Sequence, residues 1–418
     1  MQRVVITGIG CLTPIGNTPA ALWQSLESGR SGIAPHIPDD GNPDPILKFK
    51  NTAQVRDFDL SLFSATQIQT SERCSQFAIL SARAAARQSG LTQHYPADKI
   101  AIILGCSTNG RHAEEPEVAN VYRDNARVHP LSIPRSMASN GVSQIAIDLS
   151  VTGPAFTVST ACASGAHAIG LAFHMVRSGM VSAALAGAHE APLTRVFLRA
   201  WDSMRVVSPT ACRPFSADRD GMTLGEGAAV LSLETLASAR ARNAPIFAEI
   251  LGFGMSADAY HITQPRPDGP AQAIRACLED AARTLHATDQ PGNQQSLLEE
   301  IAYINAHGTA TQSNDAVEAA AIAAVFGRRA PHVPLSSTKG FLGHSLGASS
   351  AIEAAITALA LHHRRLPFTA GTTACDPAIP IDLILNTPRE LPSEGPILAL
   401  TNALAFGGLN AILCLRSL

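Results

Sequence analysis

The feature that most restricts this chain is a rhythm. Short runs of apolar, often β-branched residues alternate with alanine-rich stretches of helical period along most of its length. Val4 to Thr7, Ile100 to Leu104, Phe156 to Ser159 and Val181 to Ala186 read as strands in the first half, and Ile301 to Asn305, Val333 to Ser336 and Ile397 to Thr401 in the second. Between them, Cys74 to Gln88, Ala163 to Arg177, Ala271 to Arg283, Asp315 to Val325 and Ala348 to Leu361 read as helices. Strands that are apolar on both faces, alternating with helices, predict a layered α/β fold with buried sheet.

The rhythm also repeats. Ile6-Thr7-Gly8-Ile9-Gly10 opens the first half, and Ile250-Leu251-Gly252-Phe253-Gly254 has the same Ile-x-Gly-apolar-Gly form. The strings beginning at Gly225 and Gly407 close the two halves with similar apolar strands. This predicts two copies of one α/β unit, 1–245 and 246–418. Two polar stretches interrupt the pattern. Asn109 to Pro134 and Ala287 to Glu299 read as surface excursions, the first placed to cap a site.

Composition excludes several classes. With 418 residues, 46% hydrophobic, 16% charged and a net charge of −3, the chain reads as a globular enzyme-sized protein. Lys48, Lys50, Lys99 and Lys339 are its only lysines, and no basic stripe appears, so neither nucleic acid nor an anionic membrane is expected as a partner. No signal-peptide core or membrane-length apolar stretch is evident, which predicts a cytoplasmic protein. The eight cysteines are scattered without a CxxC pair, so free thiols are expected rather than disulfides or a metal site.

Three motifs compete to carry chemistry. Gly8-Ile9-Gly10 follows a strand, but a dinucleotide fingerprint needs a third glycine where Thr13 stands, so a tight turn after an edge strand is the better reading. Gly343-His344-Ser345-Leu346-Gly347 matches a hydrolase nucleophile elbow. However, Lys339 to Leu342 separates it from the preceding strand, and no histidine follows Asp376 or Asp382 to complete the order Ser, Asp, His. The third is Thr160-Ala161-Cys162-Ala163-Ser164, at a strand-to-helix junction with small neighbours. A free thiol has a pKa of about 8.5, and a helix N-terminus favours the thiolate, so Cys162 is the candidate nucleophile. His307, just past a strand, and Lys339 with His344 complete a possible acid–base set.

Taken together, these residues resemble the β-ketoacyl-ACP synthases of the thiolase superfamily, over essentially the whole chain. Cys162, the His307-Gly308-Thr309 and Gly343-His344 strings, and Ser337-Thr338-Lys339 carry the likeness. Arg213-Pro214-Phe215, Asp218-Arg219-Asp220-Gly221, Gly225-Glu226-Gly227, Asp258-Ala259-Tyr260-His261 and Phe406-Gly407-Gly408 extend it. The resemblance implies a five-layered α-β-α-β-α fold of two pseudo-repeated halves. It also implies decarboxylative Claisen condensation, in which Cys162 takes an acyl group and malonyl-ACP supplies the carbanion. His307 and His344 would stabilise the enolate, with Lys339 fixing them and Glu353 holding the lysine. The backbone of Cys162 and Leu404 would form the oxyanion hole, and Thr309, Thr311 and Phe406 would contact substrate. No cofactor is implied, since phosphopantetheine arrives on the acyl carrier protein. The expected assembly is a homodimer, or a heterodimer with a chain-length-factor-like homologue.

Where elongating synthases usually read Asn-Ser-Phe-Gly-Phe-Gly-Gly-Thr-Asn, this chain has Asn402-Ala403-Leu404-Ala405-Phe406-Gly407-Gly408-Leu409-Asn410. Leu404 then replaces a pocket-gating phenylalanine. That departure predicts an open pocket mouth and a specialised pathway, such as aryl polyene or other type II polyketide synthesis. A non-catalytic chain-length factor is the alternative within the fold, and it would lack the nucleophile that this chain has.

Overall fold

The computed structural model describes residues 2–286 and 294–418. The first half supplies strands β1 (Val4–Leu12), β2 (Ile100–Gly105), β3 (Ala155–Val158), β4 (Ala183–Glu190) and β5 (Gly227–Thr235). The second supplies β6 (Ala248–Ala257), β7 (Ile301–Asn305), β8 (Pro334–Ser336), β9 (Asp382–Leu383), β10 (Leu398–Ala405) and β11 (Leu409–Arg416). They hydrogen-bond in the order β9-β8-β7-β10-β11-β6-β1-β5-β4-β2-β3.

That order contains the duplication. Outward from the junction, β1-β5-β4-β2-β3 on one side corresponds to β6-β11-β10-β7-β8 on the other. Pairing directions also agree, with two antiparallel pairs followed by two parallel ones in each half. The halves join through the antiparallel pairing of β1 with β6, Val4 opposite Ile250.

Seven helices cover the sheet or frame the site: α1 (Arg73–Ser89), α2 (Arg111–Asp124), α3 (Ser164–Arg177), α4 (Arg195–Ser203), α5 (Asp268–His286), α6 (Gln312–Phe326) and α7 (Ser349–His363). Helices α3 and α7 pack on each other and on strands of both halves, so they form a central layer between two half-sheets. Their composition fits that place. From Ser349 to Leu361 every residue of α7 is buried, and small alanines let sheet backbone approach on two sides. On the outer faces α1 covers β1, β5 and β4, while α5, with α6 against it, covers β6 and β11. The result is the five-layered α-β-α-β-α arrangement.

Two expectations fail here. Gly8 and Gly10 do not form a turn after an edge strand; β1 continues through them at the middle of the sheet. A Cβ on Gly10 would lie 1.9 Å from the Ser81 carbonyl oxygen of α1, and one on Gly254 would lie 2.1 Å from the Ala273 carbonyl oxygen of α5. The repeated Gly-apolar-Gly string therefore lets each outer helix lie directly on its strand. The stretch Asn109 to Pro134 is largely exposed and includes α2, but none of it lines the cavity that contains Cys162, His307 and His344. It does not cap the site. Of the second polar stretch, residues 287–293 lie outside the described residues. All eight cysteines are free, and no helix among the described residues is long and apolar enough to cross a membrane.

Candidate active site

The chemically active groups stand just past the carboxyl ends of parallel strands, where backbone leaves the ladder and side chains are free to converge. Cys162 follows β3, His307 follows β7, Lys339 and His344 follow β8, and Phe406 follows β10. Several of these turns hold backbone that side-chain-bearing residues seldom adopt. Ala161 has φ 48°, Ala310 65° and Leu346 46°, flanking the nucleophile and the two histidine loops. Each such residue is expected to cost about 1–3 kcal/mol, and it persists only where surroundings enforce it. The Ser164 hydroxyl is one such enforcer, accepting the Thr160 N–H and donating to the Ala161 carbonyl.

Cys162 Sγ lies 3.1 Å from His344 Nε2, and the two imidazoles face each other edge-on at 5.3 Å between ring centres. Lys339 Nζ donates to the His307 carbonyl and the Glu353 carboxylate, and lies 3.4 Å from His307 Nδ1. An ammonium has only hydrogens to offer, so His307 Nδ1 is the acceptor and Nε2 carries the proton. His344 Nδ1 lies 2.9 Å from the Ser349 hydroxyl, which also accepts the Ser345 N–H. That hydroxyl can rotate to give or receive a hydrogen, so it accommodates either tautomer of His344.

Electrostatics set the resting protonation. Burial, then the Lys339 charge and His344, hold the His307 imidazole well below the ordinary histidine range, and burial with Lys339 does the same for His344. Both rings are neutral. Burial pushes the Cys162 thiol up to about 12, against the pull of Lys339 and of the N–H groups of Phe406 and Cys162. The helix N-terminus was expected to favour the thiolate, but Cys162 stands one residue outside the cap of α3, in an apolar cluster with Phe49, Leu193, Leu198 and Leu346. Desolvation outweighs the helix charge, so the resting nucleophile is a neutral thiol hydrogen-bonded to a neutral imidazole. Glu353 is likewise raised by burial, to about 7, with Lys339 opposing.

Cys162, His307 and His344 line a cavity of about 390 Å³, walled also by Thr309, Thr311, Leu404 and Phe406 and reaching Trp201 and Arg205. Thr309 and Thr311 pair their hydroxyls at 2.9 Å, and Thr311 caps α6. The Phe406 ring stacks on Trp201 of α4 with centres 5.8 Å apart. Leu404 and Phe406 both line this cavity together with Cys162.

Sequence reading missed several supporting groups. Both carboxylate oxygens of Glu318 accept backbone N–H groups, from His307 and Gly308, and Asp315 accepts those of Ala310 and Phe215. Their signal was two acids three residues apart on an alanine-rich helix. Across the halves, the Thr223 carbonyl accepts the His344 N–H. Asn305 Oδ1, Asn402 Oδ1 and Glu353 Oε2 are each buried without a hydrogen-bond partner. Ser345 of the hydrolase-like string follows a helical turn rather than a strand, and its hydroxyl lies 3.2 Å from Ser349.

The "Beta-ketoacyl synthase, N-terminal domain" family matches residues 1–239, and "Beta-ketoacyl synthase, C-terminal domain" matches residues 247–373. The chain belongs to the β-ketoacyl synthase family. Nodulation protein E of Rhizobium sp. (strain N33) is similar at 38% identity, covering 99% of each chain. The 3-oxoacyl-[acyl-carrier-protein] synthase 2 of Staphylococcus aureus (strain COL) is 35% identical, over 99% of this chain and 98% of that one. Among solved structures, the ishigamide ketosynthase/chain length factor superposes with a TM-score of 0.91 at 33% identity, covering 100% and 99%. This β-ketoacyl synthase is an acyltransferase of the condensing type. The site brings together a thiol, a fixed N–H donor and an imidazole able to hold its proton on either nitrogen.

Proposed function

We propose that Cys162 carries the acyl chain and that His307 and His344 stabilise the enolate of a malonyl thioester, in a specialised fatty-acid or polyketide pathway. The observation that carries this reading is the 3.1 Å contact between Cys162 Sγ and His344 Nε2, both of which line the cavity. In the first stage the sulfur attacks the incoming thioester carbonyl, and the Cys162 proton passes through His344 Nε2 to the departing pantetheine thiolate. The backbone N–H of Cys162 and a second backbone N–H of the cavity wall receive the oxyanion. In the second stage carbon dioxide leaves the malonyl group, and its thioester oxygen takes negative charge between His307 Nε2–H and His344 Nε2–H. The resulting carbanion then attacks the Cys162 thioester carbonyl, the C–S bond breaks, and the thiolate released takes a proton from solvent through His344. Lys339 and Glu353 act behind His307, and Thr309 and Thr311 line the route that a pantetheine arm would follow.

Acyl carrier protein is the proposed donor, consistent with the name of the Staphylococcus relative. Departures at Ala403, Leu404 and Ala405, together with similarity to a ketosynthase/chain length factor structure, support the specialised pathway, of the aryl polyene or type II polyketide kind. A dimer, homomeric or with a chain-length-factor-like partner, is proposed across β3. This strand is the outer edge of the sheet, and Phe156, Ile147 and Met180 are exposed. A cytoplasmic location is proposed with it.

The test is incubation with a panel of acyl-ACPs followed by intact-mass and peptide analysis. The acyl mass should appear on the peptide containing Cys162 and vanish in Cys162→Ala. Acylation persisting in that variant refutes the assignment. Light scattering should find a dimer, and a fully active monomer would refute that part alone.

A further inference from the structure

A second cluster of soft donors lies apart from the catalytic groups. Cys74 on α1, Cys106 just past β2 and His189 in β4 bring Sγ, Sγ and Nδ1 within 4.8 Å of one another, and all three residues are buried. The sulfurs are 3.8 Å apart, and Cys74 Sγ is 3.1 Å from His189 Nδ1. Leu12, Val55, Phe77 and Ala228 pack around the two cysteines, and Glu190 stands beside Cys106. The mechanism uses none of them.

From this geometry we infer a structural site for a thiophilic divalent cation, zinc in particular, on Cys74 Sγ, Cys106 Sγ and His189 Nδ1. Zinc bonded to two thiolates at about 2.3 Å each, at a tetrahedral angle, holds them about 3.8 Å apart. That is the separation found. The sulfur–imidazole contact has only to open by about 0.4 Å to reach the corresponding distance. Three protein ligands leave the fourth position to a water, and beside Cys106 stands Glu190, whose Oε1 lies 3.8 Å from its Sγ. Its carboxylate is already oriented by N–H and O–H donors from Ser107 and Thr108 and by the Gly347 N–H. Binding releases two thiol protons, and two thiolates neutralise the cation, which favours a dication over copper(I) in a dry interior. With the metal on Nδ1, the imidazole hydrogen is on Nε2. This atom is buried and unpartnered against Gly141, and the neighbouring Asn140 Oδ1 is an equally unpartnered acceptor.

The test is the metal content of the full chain produced in zinc-supplemented medium and passed over a weak chelator. About one zinc per chain is expected, retained in Cys162→Ala and lost in the Cys74→Ser/Cys106→Ser double variant. Cobalt substitution should give sulfur-to-cobalt charge-transfer absorption in wild type and Cys162→Ala alike, and this decides the matter should the double variant fold poorly. Zinc-free wild-type protein, zinc lost with Cys162 but kept without Cys74 and Cys106, or a Cys74–Cys106 disulfide by mass spectrometry would each overturn the inference.

Discussion

Lys339 Nζ lies 3.4 Å from His307 Nδ1, and this contact decides which nitrogen of the ring faces substrate with a hydrogen. Because the ammonium can only donate, His307 presents Nε2–H to the cavity. The consequence is measurable in a Cys162→Gln background, where decarboxylation of malonyl-ACP proceeds without acyl transfer. His307→Ala and His344→Ala should each lower carbon dioxide release about 10²–10³-fold, as loss of an oxyanion-type donor does. Lys339→Met combined with Glu353→Gln removes both buried charges and should slow the same reaction while leaving the fold intact by circular dichroism. Undiminished decarboxylation in both histidine variants would remove the enolate role.

The thiol should titrate late. Burial raises Cys162 to about 12, so the thiolate fraction at neutral pH lies below that of an ordinary cysteine, which has a pKa of about 8.5. Alkylation of Cys162 by iodoacetamide should therefore keep accelerating, about tenfold per pH unit, up to about pH 9.5. A plateau at or below about pH 8 would mean that the helix end and Lys339 outweigh desolvation.

Substrate preference should depend on Leu404 and Phe406 in different ways. Leu404→Phe adds a ring to a wall where Phe406 already stacks on Trp201, so a rigid conjugated acyl-ACP should lose more than a short saturated one. A pocket change of this kind is worth about 1–3 kcal/mol of discrimination, a shift in kcat/KM ratio rather than a switch. Equal loss for both substrates would assign Leu404 to packing alone.

The glycine repeat should be a stability determinant. Gly10→Ala places a methyl 1.9 Å from the Ser81 carbonyl oxygen, and α1 must lift from β1 to admit it. Overpacking of this kind costs about 1–3 kcal/mol. Thermal unfolding should show a lower midpoint for Gly10→Ala, and Gly254→Ala should mirror it at Ala273. An unshifted midpoint in both would show that the helices yield freely.

Much of this molecule is written in local pattern. The alternation of strands and helices, the duplication, and the candidacy of Cys162, His307, Lys339 and His344 follow from periodicity, spacing and family motif, because each is a property of neighbouring residues. What tertiary structure alone decided depends on groups far apart in sequence. The Gly-apolar-Gly string reads locally as a turn, and only the approach of α1 and α5 shows why side chains are excluded there. A helix N-terminus argues for a thiolate at Cys162, yet the surrounding apolar shell, drawn from residues as far apart as Phe49 and Leu346, reverses that preference. Leu404 stands out in sequence as a departure, but only the folded wall shows that Phe406, two residues on, stacks on Trp201. Desolvation, close approach and backbone direction are sums over neighbours in space, and chain order does not carry them.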